Sequence, residues 1–413
     1  MASQGRYALA ALFTALGLFG FMATIGQIPS NGLGEVLMDV SGVSGKESPP
    51  DLLHAPAPFK RSFTGISLID GQLGPLVVFV ASLVDDPGAS YSTWAFYIDS
   101  MGQFVAGWTL LVLEGRRTGN RGRAVSWIAT LGLIYQKVSW ALAVPVYFAL
   151  HLLTSPVSKL DGNGGKIKGE VARQNLFVYL WDLALIPVSI TLSLVIPTIF
   201  MSLPSLFSPA THYSWIAFWV PFPLWTIVIQ DILHNACYYG LGSLTPQDAN
   251  GKATTPGKGY MAAVSGVYQF ALTAAVVTHA PFVFVSLLPS PIRSALASAF
   301  PSIAPFLEQV TFTRTFVPYP IFKQPIADSA NYSPGDLSPL VADFYQYDLY
   351  AGNTPMLLWA LYLNVKATGT STWDAARKAT IWTILGGQTA GALALLWDRD
   401  QVVTEGESEA KRK

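Results

Sequence analysis

The sequence predicts an all-α membrane protein, a polytopic bundle of eight or nine transmembrane helices. Three observations support this prediction. Hydrophobic residues make up 51% of the 413 residues. Charged residues make up 12%, against about 25% in soluble domains. Mean hydropathy is +0.39, and apolar runs of about 20 residues, long enough to cross a bilayer as a helix, recur along the chain.

Nine candidate spans follow one another: residues 7–28, 65–84, 94–113, 125–153, 177–201, 214–239, 261–288, 344–365 and 380–397. The first follows Arg6 as a secretory signal would, but it is long and lacks a small-residue cleavage site, which favours a retained helix. The eighth is the weakest span because its front half, DFYQYDLYAGNT, is polar. The expected total is therefore eight or nine.

The spans predict a single transmembrane helical domain over residues 1–397, with two long loops at 29–63 and 290–343. The second loop is predicted to lie along the membrane surface. Residues 398–413 are rich in charge and predict a disordered tail. Basic residues follow both the third and the fourth span, so the positive-inside rule leaves the orientation open.

Several classes of function are disfavoured by composition and by missing motifs. With 25 basic and 25 acidic residues the net charge is zero, so no nucleic-acid partner is expected. One cysteine, Cys237, excludes an internal disulfide and a cysteine metal cluster. No HExxH, Walker or GxSxG motif occurs, and Asp85-Asp86 lacks the further acid of a DDxxD site. A mechanism without a metal or cofactor is therefore favoured.

Ionisable residues interrupt or border the apolar runs. They are Asp70, Asp99, Asp182, Asp231, His234 and Asp348. Lys137, in the fourth span, is a candidate partner for one of these aspartates. A charge in hydrocarbon costs about 2.5–3.5 kcal/mol on insertion scales, so the set predicts a polar pocket enclosed by helices. For any single residue, an interhelical hydrogen bond explains it equally well; for the whole set, a functional cavity is favoured.

A buried acid beside aromatic rings has a defined chemical use. Desolvation raises the pKa of a carboxyl group, so that a neutral acid can deliver a proton. A neighbouring cation such as Lys137 or protonated His234 favours the anion instead, so spacing leaves the identity of the acid open. Aromatic residues, 13% of the chain, stabilise a developing cation through their ring faces. Protonation-triggered polyene cyclisation needs this combination, and binding of a cationic or quinone-like ligand is also compatible with it.

Four stretches resemble fungal integral-membrane terpene cyclases of the ascofuranone, ascochlorin and macrophorin type. These are FTGISLID (63–70), WTLLVLEGRRTGN (108–120), FWVPFPLW (218–225), and FYQYDLY followed by a run ending in LLWAL (344–361). VPVYFALHLLTSP (144–156) is similar as well. The resemblance covers most of the chain in order.

This resemblance implies an enzyme that folds the farnesyl chain of a meroterpenoid, a prenylated and often epoxidised small molecule. A carboxylic acid protonates the epoxide or terminal alkene, and the carbocation then cyclises without a cofactor or metal. The motif-bearing acids are Asp70, Glu114 and Asp348, with Arg117 and Asn120 beside Glu114.

The remaining candidates, Asp99, Asp231 and His234, come from the spans alone. Each motif-bearing acid also has a structural alternative: a helix cap for Asp70, an interfacial salt-bridge cluster for Glu114, and an interhelical hydrogen bond for Asp348. Because a prenyl chain partitions into bilayers, the endoplasmic reticulum membrane is the expected location.

A proton-coupled transporter of a lipophilic metabolite is the competing hypothesis, because intramembrane Asp, His and Lys also form proton relays. The lack of a visible internal repeat and the odd number of spans disfavour it. A non-catalytic membrane scaffold leaves the buried acids unexplained.

Overall fold

The computed structural model describes residues 2–47, 49–51, 58–85, 88, 90–162, 167, 169–244, 257–326 and 334–410. Within them the regular structure is entirely helical, which confirms the all-α class. The α-helices are α1 Ala2–Ala23, α2 Leu33–Val40, α3 Ser67–Val84, α4 Tyr91–Gly115, α5 Ile128–Val138, α6 Trp140–Thr154, α7 Gly169–Leu176, α8 Leu180–Ile190, α9 Ile196–Met201, α10 Pro209–Trp219, α11 Phe222–Leu241, α12 Gly257–Ser286, α13 Ser290–Ala299, α14 Ala304–Gln309, α15 Phe312–Phe316, α16 Pro334–Thr368 and α17 Thr372–Ala410.

Six helical segments of the described chain are long and apolar enough to cross a membrane. They are Gln4–Gln27, Ser67–Val84, Tyr91–Gly115, Gln174–Met201, Gly259–Ser286 and Thr372–Val402. The bent pair α10 and α11, at 71° to each other, makes a seventh if it is one span. The π-helical turn Thr191–Val195 joins α8 to α9 within one of these segments. The expectation of a polytopic membrane bundle is confirmed, although the predicted total of eight or nine is only approximate.

Two of the nine predicted spans account for the difference between that number and the six or seven spans of the described chain. The fourth, 125–153, divides at Ser139 into α5 and α6, which are 11 and 15 residues long. The eighth lies in α16, which is 35 residues long. Its first half buries polar side chains, among them Asp343 and Gln346. These polar groups require partners inside the bundle rather than lipid.

The predicted loops and tail contain more helix than expected. The segment 290–343 holds α13, α14, α15 and the start of α16, while residues 327–333 lie outside the described residues. In the segment 29–63 the chain forms α2, and residues 48 and 52–57 are not described. The predicted tail, 398–413, begins inside α17, which extends to Ala410. Arg399 and Asp400, at its start, are buried in the bundle. Residues 411–413 are not described.

Helix α4 is the central helix of the bundle, since almost every residue from Asp99 to Gly115 is buried. Its small residues permit close packing: a Cβ added at Gly102 would lie 1.7 Å from Thr278 Oγ1 on α12. A small residue at this position therefore lets α4 and α12 approach closely. On the α17 side, Gln103 donates a hydrogen bond to the carbonyl of Gly386, beside the kink at Gly387, whose φ is +73°.

Three interruptions of the helices meet on one side of α4. Helix α1 ends before the short turn Ile25–Gln27, α5 breaks from α6 at Ser139, and α10 breaks from α11 at Val220–Pro221. Ser139 is the one described non-glycine residue with positive φ, +75°, a conformation that persists only where its surroundings enforce it. Irregular backbone at membrane depth is tolerated where it is buried in protein or lines a cavity.

Candidate active site

The three helix breaks surround a cavity of about 240 Å³. Helices α2, α3, α4 and α16 complete its wall. The volume is close to the lower end of the usual range for small-molecule sites, about 300–1,000 Å³. The aromatic lining residues are Phe79, Phe104, Tyr135, Trp219, Phe344 and Tyr345. The lining side chains with amide, hydroxyl or charged groups other than tyrosine are Gln136, Lys137, Ser139 and Asp348.

Asp348 is the one carboxylic acid among the residues that line this cavity. Its side chain is held at the break between α5 and α6. Oδ1 accepts a hydrogen bond from the backbone N–H of Ala141 at 2.8 Å. Ser139 and the N–H of Trp140 also donate to the carboxyl group. The carboxyl group therefore caps the N-terminus of α6, which satisfies N–H groups that the helix itself leaves free.

No ion pair joins Asp348 to any cation in the described part of the chain. The Lys137 ammonium also lines the cavity, but it donates to Gln72 Oε1 on α3. The predicted pairing of Lys137 with an aspartate is therefore not formed among the described residues. An acid in an apolar chamber without a counter-cation is the arrangement from which a proton can be delivered.

Rings packed in pairs stiffen the wall around Asp348. Phe79 stacks on Tyr345 with 5.4 Å between ring centroids and meets Phe344 edge-on at 5.1 Å. Trp140 contacts both Phe104, at 5.3 Å, and Tyr135, at 5.2 Å, and Phe104 meets Tyr345 at 6.2 Å. Ring faces carry negative partial charge, so such a wall attracts a cation without supplying a nucleophile.

Asp70 does not line the cavity. Its carboxylate accepts hydrogen bonds from the N–H and hydroxyl of Thr64, both at 2.8 Å, from the Ser62 hydroxyl at 2.9 Å, and from the Gly65 N–H at 3.1 Å. These donors occupy both carboxylate oxygens, and they hold the chain in place where it enters α3. The role is structural, as the alternative for Asp70 proposed, but Asp70 holds the turn before α3 and is not the helix cap, since the N-cap residue is Ile66.

Glu114 lies in a fully buried ion-pair network, away from the cavity lining. Arg117 Nε and Arg399 Nη2 donate to Glu114 Oε2 at 3.1 and 3.0 Å, and His151 Nε2 lies 3.2 Å from Oε1. Arg117 also binds Asp400 at 2.6 Å. Burial alone lowers the pKa of Arg117, but the carboxylates of Asp400 and Glu114 raise it well above its ordinary value. The network ties α17 to α4.

Asp99 pairs with His279 on α12, with Oδ1 2.8 Å from Nδ1. The pair is packed beside Phe316, and neither side chain lines the cavity. His279 is not among the candidates that the sequence predicts.

On α11, Asp231 lies at the surface, whereas His234 is half-buried against α8. The side chain of Asp231 is 53% exposed and binds Arg116. His234 Nδ1 lies 2.9 Å from Asp182 Oδ1, and its ring stacks on Tyr238. Asp231 and His234 therefore do not line the cavity with Asp348. Directly before Asp231 on α11, Gln230 is buried and contacts α8 through Ser189.

The predicted single chamber is corrected by this geometry. Among the predicted catalytic residues Asp70, Asp99, Glu114, Asp231, His234 and Asp348, the cavity lining includes Asp348 alone. The others lie in separate clusters, because each has a closer partner on a neighbouring helix or turn. The sequence did not single out Arg399 and Asp400, although the charged run WDRD at the end of the ninth span marks them. It also missed Trp219, whose place depends on the bend between α10 and α11.

No group of three or more His, Cys, Asp or Glu within the described ranges is arranged to hold a metal ion.

Comparison with known proteins places residues 8–404 in a match to the CtvD domain. The terpene cyclase ascI of Acremonium egyptiacum is 26% identical over 372 residues, covering 86% of this chain and 83% of that protein. The terpene cyclase ctvD of Aspergillus terreus is 24% identical over 348 residues, 83% and 86% of the two chains. The terpene cyclase atmA of Aspergillus flavus is 22% identical over 348 residues, 82% and 83%. No solved structure matches.

Proposed function

The chain belongs to the CtvD-domain family, and from this premise we propose that it is an integral-membrane terpene cyclase in which Asp348 is the acid. The family match confirms the resemblance to fungal terpene cyclases. The observation that carries the proposal is the position of Asp348, which among the described residues is the single carboxyl group lining an aromatic cavity inside the bundle. The expected substrate is a farnesylated small molecule, often epoxidised, held in the endoplasmic reticulum membrane.

The chemistry that this site supports is a proton-initiated cyclisation. Neutral Asp348 gives its proton to the epoxide oxygen, and the carbon–oxygen bond breaks to leave a hydroxyl group and a carbocation. Alkene π-electrons of the chain form new carbon–carbon bonds as the charge moves along it. Loss of one proton from carbon ends the sequence and restores the proton count, so product and substrate have the same mass.

The wall contributes through electrostatics and shape. The rings of Phe79, Tyr345 and Phe104 line the cavity and stabilise a moving positive charge without trapping it. Preorganised groups of this kind need no rearrangement during reaction. A cavity with few other polar side chains also limits capture of the cation by water. The shape of the wall then decides which alkene reaches the cation first.

The test uses microsomes that contain the protein and an epoxyfarnesyl phenol as the probe substrate. Mass spectrometry should detect a cyclic isomer of unchanged mass. The D348N variant should lose turnover, whereas D70N, D99N and D231N, matched aspartates outside the cavity, should retain it per folded molecule. Full turnover by D348N would remove Asp348 from the role of acid. Uptake into sealed vesicles driven by a pH gradient, with no product formed, would favour the transporter instead.

A further inference from the structure

Among the described residues, the cavity lining includes one cationic side chain, Lys137, in addition to the carboxyl group of Asp348. Lys137 lies in the last turn of α5 and is solvent-exposed, whereas Asp348 is 6% exposed. The ammonium therefore lies at the mouth of the cavity and the carboxyl group lies inside it. The rest of the cavity lining is largely aromatic and aliphatic, and it includes Phe79, Tyr345 and Leu76.

Lys137 has a hydrogen-bond partner but no counter-ion. Its ammonium donates to the Gln72 amide oxygen, and no ion pair links it to an acidic residue in the described part of the chain. By contrast, Lys46, Lys366 and Lys378 each pair with an aspartate. An ammonium beside an apolar cavity is stabilised strongly by an anion, since a charge-assisted hydrogen bond there meets little competition from water.

We infer that Lys137 is a specificity-determining residue, which binds a negatively charged head group of the substrate at the cavity mouth. The substrate class is then a terpenoid chain that carries an anionic group such as a carboxylate. The anion pairs with Lys137, and the hydrocarbon end reaches Asp348. This inference rests on the proposed function, because it names the residue that binds the other end of the same substrate.

The two residues are joined by the same backbone break. Lys137 precedes Ser139 by two positions, and Ala141, which holds Asp348, follows Ser139 by two. The break therefore fixes the head-group contact and the acid relative to each other. This connection orients a bipolar substrate in one direction, which a cavity with an acid alone does not do.

The experiment compares two probes in microsomes: an epoxyfarnesylated hydroxybenzoic acid and its methyl ester, which lacks the charge. Wild-type protein should prefer the acid by about tenfold or more in kcat/KM. In K137Q, which keeps a hydrogen-bonding side chain beside Gln72, the preference should fall to near one through a higher KM for the acid. K137R should restore most of it.

K60Q is the matched control, because Lys60 also donates to a neutral side chain, that of Ser214, at 2.8 Å, and does not line the cavity. It should keep the wild-type preference for the acid. Cyclisation of both probes with no preference, or an unchanged preference in K137Q, would overturn the role of Lys137 and leave the cyclase proposal standing. Absence of turnover on both probes would overturn the cyclase proposal itself.

Discussion

The carboxyl group of Asp348, on α16, accepts a hydrogen bond from the backbone N–H of Ala141 at the start of α6, 2.8 Å away. The contact gives one side chain two functions. It caps a helix that begins directly after the positive-φ residue Ser139, and it holds an acid against the aromatic cavity. Substitutions at this position therefore have to separate a structural effect from a chemical one.

The variants D348N and D348A separate the two effects. The asparagine amide oxygen can still accept the N–H of Ala141, but the amide cannot deliver a carboxylic proton. We expect kcat of D348N to fall at least about 100-fold, with a loss of stability in detergent that is smaller than that of D348A because one acceptor oxygen remains. D348A should also lose about 0.5–2 kcal/mol of stability, the usual value of a cap. Equal stability losses in both variants would refute the separation.

Asp70 should prove structural. Its carboxylate accepts hydrogen bonds from Thr64, Ser62 and Gly65, and asparagine offers one acceptor oxygen in place of two. We expect D70N to lose about 1–3 kcal/mol of stability, the range for buried groups left without a partner. T64V, which removes one hydroxyl donor, should lose less. Thermal unfolding followed by tryptophan fluorescence checks the order, and turnover per folded molecule should change little in both.

The buried network of Glu114, Arg117, Arg399 and Asp400 predicts strong coupling. Removal of one member of a buried ion pair leaves an uncompensated charge and costs about 3–5 kcal/mol. E114Q and R399M should each approach this loss. The double variant removes one charge of each sign, so its loss should be smaller than the sum of the two single losses. A double-mutant cycle on unfolding in detergent measures this difference, and strict additivity would contradict the coupling.

Much of the fold follows from the sequence, because membrane-length apolar runs determine helices almost by themselves. The packing of α12 against α4 at Gly102 was also predictable, since small residues on one helical face allow close approach. The break between α5 and α6 at Ser139 was not predictable from the sequence. Serine is not a helix breaker, and its strained backbone is held by Asp348 and Thr24, whose hydroxyl lies 3.1 Å from that of Ser139.

The candidate site was predicted only in part, because tertiary contacts decide the rest of it. FYQYDLY marked Asp348 by its motif, but a linear pattern does not give the partner of a side chain. Asp348 and Ala141 are 207 positions apart, and Glu114 and Arg399 are 285 apart. Buried acids therefore share a sequence signature whether they cap a helix, pair with arginine or face a cavity. Only the tertiary contacts distinguish these roles.

Asp343, near the start of α16 and before the predicted eighth span, gives a pH-dependent prediction. The side chain is buried, and desolvation raises its pKa to about 6, although hydrogen bonds from the Tyr319 N–H and Gln324 act in the opposite direction. A carboxyl group with a raised pKa in the folded state binds its proton more tightly there than in the unfolded chain. Its protonated form stabilises the fold below about pH 4, and this stabilisation is lost as the pH rises through about 6.

The variant D343N tests this sign because its side chain stays neutral at every pH. Above pH 6 wild type carries a buried charge that the variant lacks, so D343N should melt about 2–4 °C higher than wild type at pH 8. The gap should shrink as the pH falls through 6 towards 4, where the wild-type carboxyl group is also neutral. Melting curves of both proteins in one detergent across this range measure the gap, and the other titrating groups cancel between them. A gap that widens at low pH would show that the hydrogen bonds from Tyr319 and Gln324, which favour the anion, outweigh desolvation.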